Sequence, residues 1–219
     1  MGHVFEAAPS GRAKCRGCGE VIPKGELRFG ERLPNPYGEG EITLWFHPLC
    51  AAYKRPEPIL QALGESLQGI TDREALEAAA RGSMAQRRIP RINGAERAAS
   101  GKAKCRSCRQ PIERGSWRIR ITFYDEGRFS PGGVIHLSCR KAYFETDDIL
   151  DRLLRFSPAL ADAEREELRQ ACTVPSPGVP SPGVPSPGVP SPGVPSPGVP
   201  GTAAPGTAAE TPPPEPQST

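Results

Sequence analysis

Two stretches of this chain alternate apolar and polar residues in the manner of half-buried β-strands. The first, residues 20–33, alternates around a Pro-Lys-Gly turn and predicts a short hairpin whose second strand holds Leu27, Arg28 and Phe29. The second, residues 116–124, alternates more strongly. Residues 41–47 and 134–139 follow these stretches and predict a return strand in each case. The pattern therefore predicts two small antiparallel sheets.

Helices and loops are predicted around these strands. A helix beginning near Cys50 is expected to stop at Pro56 and Pro58, and another should run from a cap at Thr71 or Asp72 to Gly82. Residues 148–172 predict Leu-rich helical segments, with Ser157 and Pro158 preceding an acidic first turn. We expect their leucines to be core residues: Leu150, Leu153, Leu154, Leu160 and Leu168. Residues 35–41 and 125–133 are rich in turn-forming residues and are predicted to be loops.

Cysteine and histidine spacing points to metal binding. Cys15 and Cys18 form a Cys-x2-Cys pair, and after 28 intervening residues His47 and Cys50 form a His-x2-Cys pair. Three thiolates and one imidazole suit tetrahedral Zn²⁺, and four protein ligands leave no open position, so the zinc is predicted to be structural. The alternative is a set of buried or disulfide-bonded cysteines, against which the histidine in each set argues.

The same arrangement returns about 90 residues later. Cys105 and Cys108 follow a Gly-Lys-Ala-Lys phrase that resembles the Gly-Arg-Ala-Lys phrase before Cys15, and His136 and Cys139 complete the second set. The chain is thus an internal duplication. Two Zn²⁺ ions are predicted, and because each module is small, zinc binding should supply much of its folding free energy. The predicted organisation is an N-terminal segment (1–10), a first module (11–82), a basic linker (83–100), a second module (101–173) and a tail (174–219).

Charge and composition indicate the kind of partner and the cell compartment to expect. Residues 83–140 carry 13 basic and 4 acidic side chains, although the net charge of the chain is only +3. Such a concentration suits a polyanion, whereas the alternative is a solvated surface that keeps the protein soluble. Six of seven cysteines belong to the two sets, and neither a secretory signal nor an apolar membrane-spanning run is evident, so we expect an intracellular protein. Its place would be the cytoplasm or nucleoid in a bacterium and the nucleus in a eukaryote.

The tail has a different composition. From Val174 the pentapeptide VPSPG occurs five times, and a Pro-rich segment follows. Such sequence has no apolar residues to pack beyond single valines, so it is predicted to be disordered and partly polyproline-like. It is either a tether or a docking segment for a protein partner.

The residues that carry the duplication also resemble a known family. GRAKCRGCGEVIPKGELRFG followed by WFHPLC is similar to the poly(ADP-ribose) polymerase type (PARP-type) zinc finger, which senses nicks and occurs in tandem in that polymerase and singly in a DNA ligase. The resemblance covers residues 11–82 and, nearly as well, 101–171. It implies an α+β fold, with a short antiparallel sheet plus helices in each of two tandem fingers. It also implies that the fingers recognise DNA strand breaks, clamping the backbone with basic groups and covering an exposed base pair with apolar ones.

By position, the resemblance implies a set of DNA contacts. The basic backbone contacts would be Arg12, Lys14 and Arg28 in the first module, and Lys102, Lys104, Arg118 and Arg120 in the second. The stacking residues would be Tyr37 and Ile42 in the first module, and Phe129, with Pro131, in the second. Arg28 and Arg118 have the alternative of covering a sheet face, and Tyr37 and Phe129 that of folding back into the core. Val134 and Ile135 replace Trp45 and Phe46, a departure between the two copies.

The expected function is therefore non-catalytic DNA binding. Of three histidines two are assigned to zinc, and the sequence has no glycine-rich phosphate loop and no room for the polymerase catalytic domain. A small zinc-dependent nuclease is disfavoured because it would need a histidine beside a second metal site. The remaining alternative is an adaptor that binds RNA or protein through its fingers and docks through its tail.

Overall fold

The computed structural model describes residues 2–65 and 70–174. The predicted disordered tail lies outside these residues from position 175 onward. The described elements form two three-stranded antiparallel sheets with helices around them, which is the predicted α+β class. Within the described residues, no helix has the length and apolar character needed to cross a bilayer.

The first sheet has the order β1-β2-β3, with β1 at Val4–Ala7, β2 at Leu27–Pro34 and β3 at Glu41–Phe46. β1 lies in the segment that the sequence left outside the first module. The predicted hairpin at residues 20–33 is wrong, because Val21 makes only an isolated bridge to Lys14, and β2 pairs with β1 and β3 instead.

The second sheet repeats this plan in the order β4-β5-β6, with β4 at Ile92–Arg97, β5 at Trp117–Asp125 and β6 at Arg128–His136. Residues 83–100, expected to be a linker, contain the end of a helix, a 3-10 turn at Ile89–Arg91 and all of β4. The second sheet therefore starts upstream of residue 101. The predicted loop at residues 125–133 is also wrong, since most of it belongs to β6.

Three helices follow the first sheet: α1 at Pro48–Lys54, α2 at Pro56–Glu65 and α3 at Arg73–Ala85. Helix α1 ends before Pro56 as predicted, yet Pro56 also begins α2, because proline fits the first turn of a helix. Helix α3 continues past Gly82, and Asp72 precedes it in a left-handed conformation without a side-chain capping bond.

Three more helices follow the second sheet: α4 at Arg140–Phe144, α5 at Leu150–Arg155 and α6 at Asp162–Thr173. Leu153 and Leu168 are fully buried, and the other three predicted core leucines pack against the core. Ser157 joins α5 to β4, because its Oγ accepts a hydrogen bond from Ala95 N at 2.7 Å and donates one to Ala95 O at 3.2 Å.

Gly94 permits this packing of the α5 end against β4. Its φ is +95°, and a Cβ at this position would lie 2.2 Å from Phe156 O. An L side chain would therefore be both strained and in collision with the backbone. The equivalent residue in the first module is Val4, where the register has no such irregularity.

The two modules share a packed boundary. Phe46 of β3 meets Phe129 of β6 edge to face at 6.4 Å between ring centroids, and Tyr53 of α1 meets Phe156 in the same manner at 6.1 Å. Each side contributes apolar surface that would otherwise face water. The second module is thus packed against the first throughout this boundary.

Candidate metal centres and nucleic-acid interface

The first metal centre is assembled from a turn, a strand end and a helix start. Cys15 and Cys18 lie in the turn, His47 follows β3 directly, and Cys50 lies in the first turn of α1. One ligand atom from each lies within 4.8 Å of all the others. His47 Nδ1 is 3.4 Å from Cys18 Sγ and 3.9 Å from Cys50 Sγ. Edges of about 3.6 to 3.8 Å are expected for a tetrahedron with the usual Zn–S and Zn–N lengths.

The second metal centre repeats this geometry. Cys105, Cys108, His136 and Cys139 also lie within 4.8 Å of one another. His136 Nδ1 is 3.4 Å from Cys108 Sγ and 3.8 Å from Cys139 Sγ. In both modules the backbone N–H of the histidine donates to the first cysteine sulfur at 3.3 Å. This shared hydrogen bond stabilises a thiolate and places the histidine ring beside it.

The donor sets fit two structural zinc ions. Three sulfurs and one imidazole nitrogen are a typical zinc ligand set, and a set of four leaves no position for a reacting water. His136 Nε2 is 3.0 Å from Pro111 O, which fixes Nε2 as the N–H donor and leaves Nδ1 for the metal. In the first centre Nε2 of His47 instead faces Glu26 Oε1 at 4.0 Å.

The two metal centres differ in how far their ligands are buried. Cys15, His47 and Cys50 are buried in the first centre, whereas Cys105 alone is buried in the second, where Cys108 is exposed. Arg155, from α5 of the second module, donates its Nε to Cys50 Sγ at 3.1 Å. The second module therefore supplies an outer contact to the first module's metal centre.

Four of the predicted phosphate contacts are exposed on the surface beside the cysteine turns. These are Arg12, Lys14, Lys102 and Lys104. In the part of the chain that the structure describes, none of the four has a carboxylate within 4.0 Å. They occupy equivalent positions in the two modules, so each metal centre fixes one basic pair.

The other three predicted basic contacts are engaged within the protein. Arg28 is 7% exposed, pairs with Glu6 on the neighbouring strand, and lies 3.5 Å from the centroid of the Trp45 ring. Arg118 forms the equivalent pair with Glu96, and Arg120 Nε lies 3.5 Å from the same carboxylate. For Arg28 and Arg118 the structure thus favours the alternative, in which they cover a sheet face, and contact of the three arginines with DNA stays a prediction.

The departure between the two copies at Trp45 has a steric explanation. Gly30 lies opposite Trp45 across the β2–β3 pair, and a Cβ there would be 2.7 Å from the Trp45 ring. In the second module Arg120 lies opposite Val134. The pair of Gly30 and Trp45 in the first module thus corresponds to the pair of Arg120 and Val134 in the second. In each pair one residue is large and the other small, so the same sheet face is covered in both modules.

The predicted stacking residues converge on one region but differ in exposure. Tyr37 is 79% exposed, and it shares a groove of about 630 Å³ with Phe129 and Pro131. Phe129 packs against Phe46 and Tyr124, and Ile42 packs against Gly127. For Phe129 this packing favours the alternative, in which the ring folds back into the core, and Ile42 is partly covered by the other module. Stacking of either residue on DNA stays a prediction.

The residues that join the modules carry no signal in the sequence pattern. Glu31 is fully buried and accepts two bonds of 2.9 Å from Arg55 Nε, while the Arg55 guanidinium lies 3.6 Å from the centroid of Tyr124. Lys54 is 3% exposed and donates to Asn93 and Thr122, each at 3.2 Å. Burial lowers the pKa of Lys54 to about 7, because the charged ammonium loses its hydration there.

His3 lies near the N-terminus and packs on the first sheet. Its ring lies 5.9 Å from that of Phe29, and its Nδ1 is 3.3 Å from Arg32 N. Partial burial lowers its pKa. It therefore contributes to the sheet face of the first module.

Fold and metal centres together define a class: a pair of tandem zinc fingers, each a three-stranded sheet that carries a closed Cys3His site. Comparison with known proteins identifies the type. Residues 6–84 match the family model described as the poly(ADP-ribose) polymerase and DNA-ligase Zn-finger region. The first module is therefore a PARP-type zinc finger, and the second repeats its strand order, ligand order and metal geometry. The matched range begins within β1, earlier than the predicted module start.

Several curated proteins share this region. The chain is 28% identical over 137 residues to a poly(ADP-ribose) polymerase of Drosophila melanogaster, a match that covers 56% of this chain and 14% of that protein. It is 29% identical over 129 residues to poly(ADP-ribose) polymerase 1 of Gallus gallus, which covers 52% and 13%, and 28% identical over 168 residues to that of Xenopus laevis, which covers 68% and 16%. The chain thus spans about one seventh of the length of the relatives it matches.

Proposed function

We propose that the protein is a non-catalytic, zinc-dependent DNA-binding protein that recognises strand breaks. The observation that carries this proposal is the repeated placement of two exposed basic side chains beside each metal centre, Arg12 with Lys14 and Lys102 with Lys104, none of which has a carboxylate within 4.0 Å among the described residues. Basic groups at fixed separations can contact phosphates without reading base sequence. The likeness of the first module to the finger region of poly(ADP-ribose) polymerases and DNA ligases supports DNA as the polyanion.

Preference for a break is supported by the exposed tip of the first module. The backbone N–H of Tyr37 donates to Asn35 Oδ1 at 3.0 Å, which shapes the turn that presents the ring. An intact duplex buries its base faces in the stack, whereas a nick or an end exposes one. Stacking of an aromatic ring on such a face contributes about 1 to 3 kcal/mol and tolerates any base.

A non-catalytic role is supported by the chemistry of the histidines. His47 and His136 belong to closed zinc sets, and His3 packs on Phe29. A general base for phosphodiester cleavage must reach a water or hydroxyl beside the substrate. None of the three histidines is placed for that task.

Fluorescence anisotropy with nicked duplex, intact duplex and single-stranded RNA tests the proposal. We expect the nicked duplex to bind most tightly, with a slope of log K against log salt of about −3 to −4 if about four phosphates are neutralised. Lys14→Gln and Lys104→Gln should each weaken binding to every duplex and reduce the slope by about 1. Lys141→Gln, on the exposed surface of α4, is the matched control and should leave binding unchanged.

Tyr37→Ala separates break recognition from general DNA binding. It should weaken binding to the nicked duplex by about tenfold and leave the intact duplex unaffected, because stacking is available only at the break. Equal affinity of the unaltered protein for both duplexes would contradict strand-break recognition. Tightest binding to the RNA would support the adaptor alternative instead.

A further inference from the structure

A cleft of about 530 Å³ opens at the boundary between the two modules. Its wall comes from α1, the start of α2, the end of α3 and the 3-10 turn on one side, and from β5 and β6 on the other. This volume is within the range of about 300 to 1,000 Å³ that is usual for small-molecule sites. The cleft is separate from both metal centres, since none of the zinc ligands lines it.

In its protonated form, Lys54 supplies a buried positive charge to this cleft. Its partners, Asn93 Oδ1 and Thr122 Oγ1, are neutral, so they satisfy two of its three N–H groups without balancing its charge. In the part of the chain that the structure describes, no carboxylate lies within 4.0 Å of its Nζ. A buried cation without a counter-ion is unfavourable, and it becomes favourable when an anion binds beside it.

Arg87 and Arg91 add two further charges at the rim. Arg87 is exposed, and Arg91 is held with its guanidinium 5.0 Å from the centroid of Phe123. Neither has a carboxylate within 4.0 Å among the described residues. These two arginines therefore remain available to an incoming anion, and the Phe123 ring orients one of them.

Few carboxylates oppose the positive charges that line the cleft. Arg55 also lines the cleft, but its charge is matched by Glu31. Glu57 is the single carboxylate among the described lining residues. With Lys54 protonated, three unmatched cations face one carboxylate, which leaves an excess of two positive charges. A phosphate monoester carries between one and two negative charges near neutral pH and has three strong acceptor oxygens.

We propose that this cleft binds a phosphate monoester, the group carried both by a free nucleotide and by a 5′ end of a broken DNA strand. The strand-end source rests on the proposed function, whereas the phosphate chemistry does not. Lys54 and Arg91 contact the phosphate oxygens, and Arg87 contributes from the rim. Occupation of the cleft also joins residues of both modules through one ligand.

Binding of AMP to the zinc-loaded full chain tests the chemistry without DNA. Isothermal titration should show binding of AMP, weaker binding of inorganic phosphate, and none of adenosine. Arg91→Gln and Arg87→Gln should each weaken AMP binding by about tenfold, since each removes a charge-assisted hydrogen bond. Arg114→Gln, an exposed arginine in a turn of the second module, is the matched control and should bind AMP as the unaltered protein does.

Lys54→Met and Arg87→Gln together keep the test independent of folding defects. Lys54→Met keeps an unbranched side chain that is one atom shorter and removes the charge, and it should abolish AMP binding while retaining two equivalents of zinc. Arg87 lies on the surface, so Arg87→Gln should fold normally. If these folded variants bind AMP as tightly as the unaltered protein, or if the unaltered protein binds neither AMP nor phosphate, the cleft is not a phosphate site.

Nicked duplexes that differ only at the break distinguish the two sources. If the strand end is the ligand, a nick with a 5′-phosphate should bind about tenfold more tightly than one with a 5′-hydroxyl, and Arg91→Gln should remove that ratio. Lys104→Gln should weaken both duplexes equally. If the protein binds AMP but has equal affinity for the 5′-phosphate and 5′-hydroxyl nicks, the ligand of the cleft is a free nucleotide. Equal binding of nicked and intact duplex with AMP binding retained contradicts the proposed function and leaves the phosphate site standing.

Discussion

The connection between the second and third strands has the same place in both modules, yet the two connections face different surroundings. In the first module it is the loop around Tyr37, which projects into solvent. In the second module it is a two-residue turn at Glu126 and Gly127, whose φ angles of +43° and +81° suit a type I′ hairpin. Gly127 is buried, and a Cβ there would lie 3.3 Å from Leu33 of the first module.

This difference shows that the duplicated modules are not interchangeable. The turn of the second module covers apolar residues at the tip of the first sheet, and Arg155 reaches the first metal centre from the same module. The second module's own metal centre remains more open, with Cys108 exposed. The second module thus covers the sheet tip and the metal centre of the first module, whereas its own metal centre is more exposed.

Zinc removal should have the largest effect on stability, and the two centres should lose zinc at different rates because their ligands differ in exposure. We expect a chelator to extract the two ions in separate phases of equal amplitude, the second module's zinc first, because its ligands are more accessible. Loss of both should unfold the modules, since structural zinc contributes on the order of 10 kcal/mol to folding. Absorbance of a zinc-sensitive dye measures release, and circular dichroism follows the unfolding.

Cys108→Ser assigns the phases. It removes a ligand of the open centre, so the fast phase should disappear and the slow phase should remain. A single phase in the unaltered protein, or loss of the slow phase in this variant, would show that the exposure of the ligands does not govern release.

Substitution of the two aromatic residues near the tips should give an intermediate effect on stability. Phe129→Ala should lower the free energy of unfolding by about 2 to 3 kcal/mol, because it leaves a gap between Phe46 and Tyr124 at the boundary. Tyr37→Ala is the matched variant and should cost less than about 0.5 kcal/mol, since its ring is already 79% exposed. Denaturant unfolding of the zinc-loaded protein measures both, and equal costs would indicate that Phe129 is not part of the boundary.

The sequence was sufficient for the metal centres because their ligands are set by residue type and short spacing. The Cys-x2-Cys and His-x2-Cys pairs predicted both clusters, and the alternation at residues 116–124 predicted β5. β1 and β4 were missed, since four to six residues with modest alternation give little signal until a partner strand is known. Their pairing with β2 and β5 is a property of the sheets.

The boundary between the modules was beyond such reasoning for a different physical reason. Phe129 and Ile42 are apolar residues near turns, and a local pattern cannot tell whether such a residue meets solvent, DNA or another module. Lys54 and Glu31 are charged residues that a local pattern assigns to the surface, but tertiary packing buries both. The identities of their partners depend on contacts between residues that are 24 to 68 positions apart.

Removal of the contact from Arg155 to the first metal centre should give the smallest of these effects, a change in the rate of zinc release from one centre. Arg155→Gln eliminates the Nε–H donor to Cys50 Sγ, and loss of such an outer contact typically weakens metal binding by about tenfold or more. The slow phase of zinc release should therefore accelerate by about that factor, while the fast phase stays unchanged. Arg169→Gln, on the exposed face of α6, is the matched control. If the two variants release zinc alike, the second module encloses the first metal centre without stabilising it.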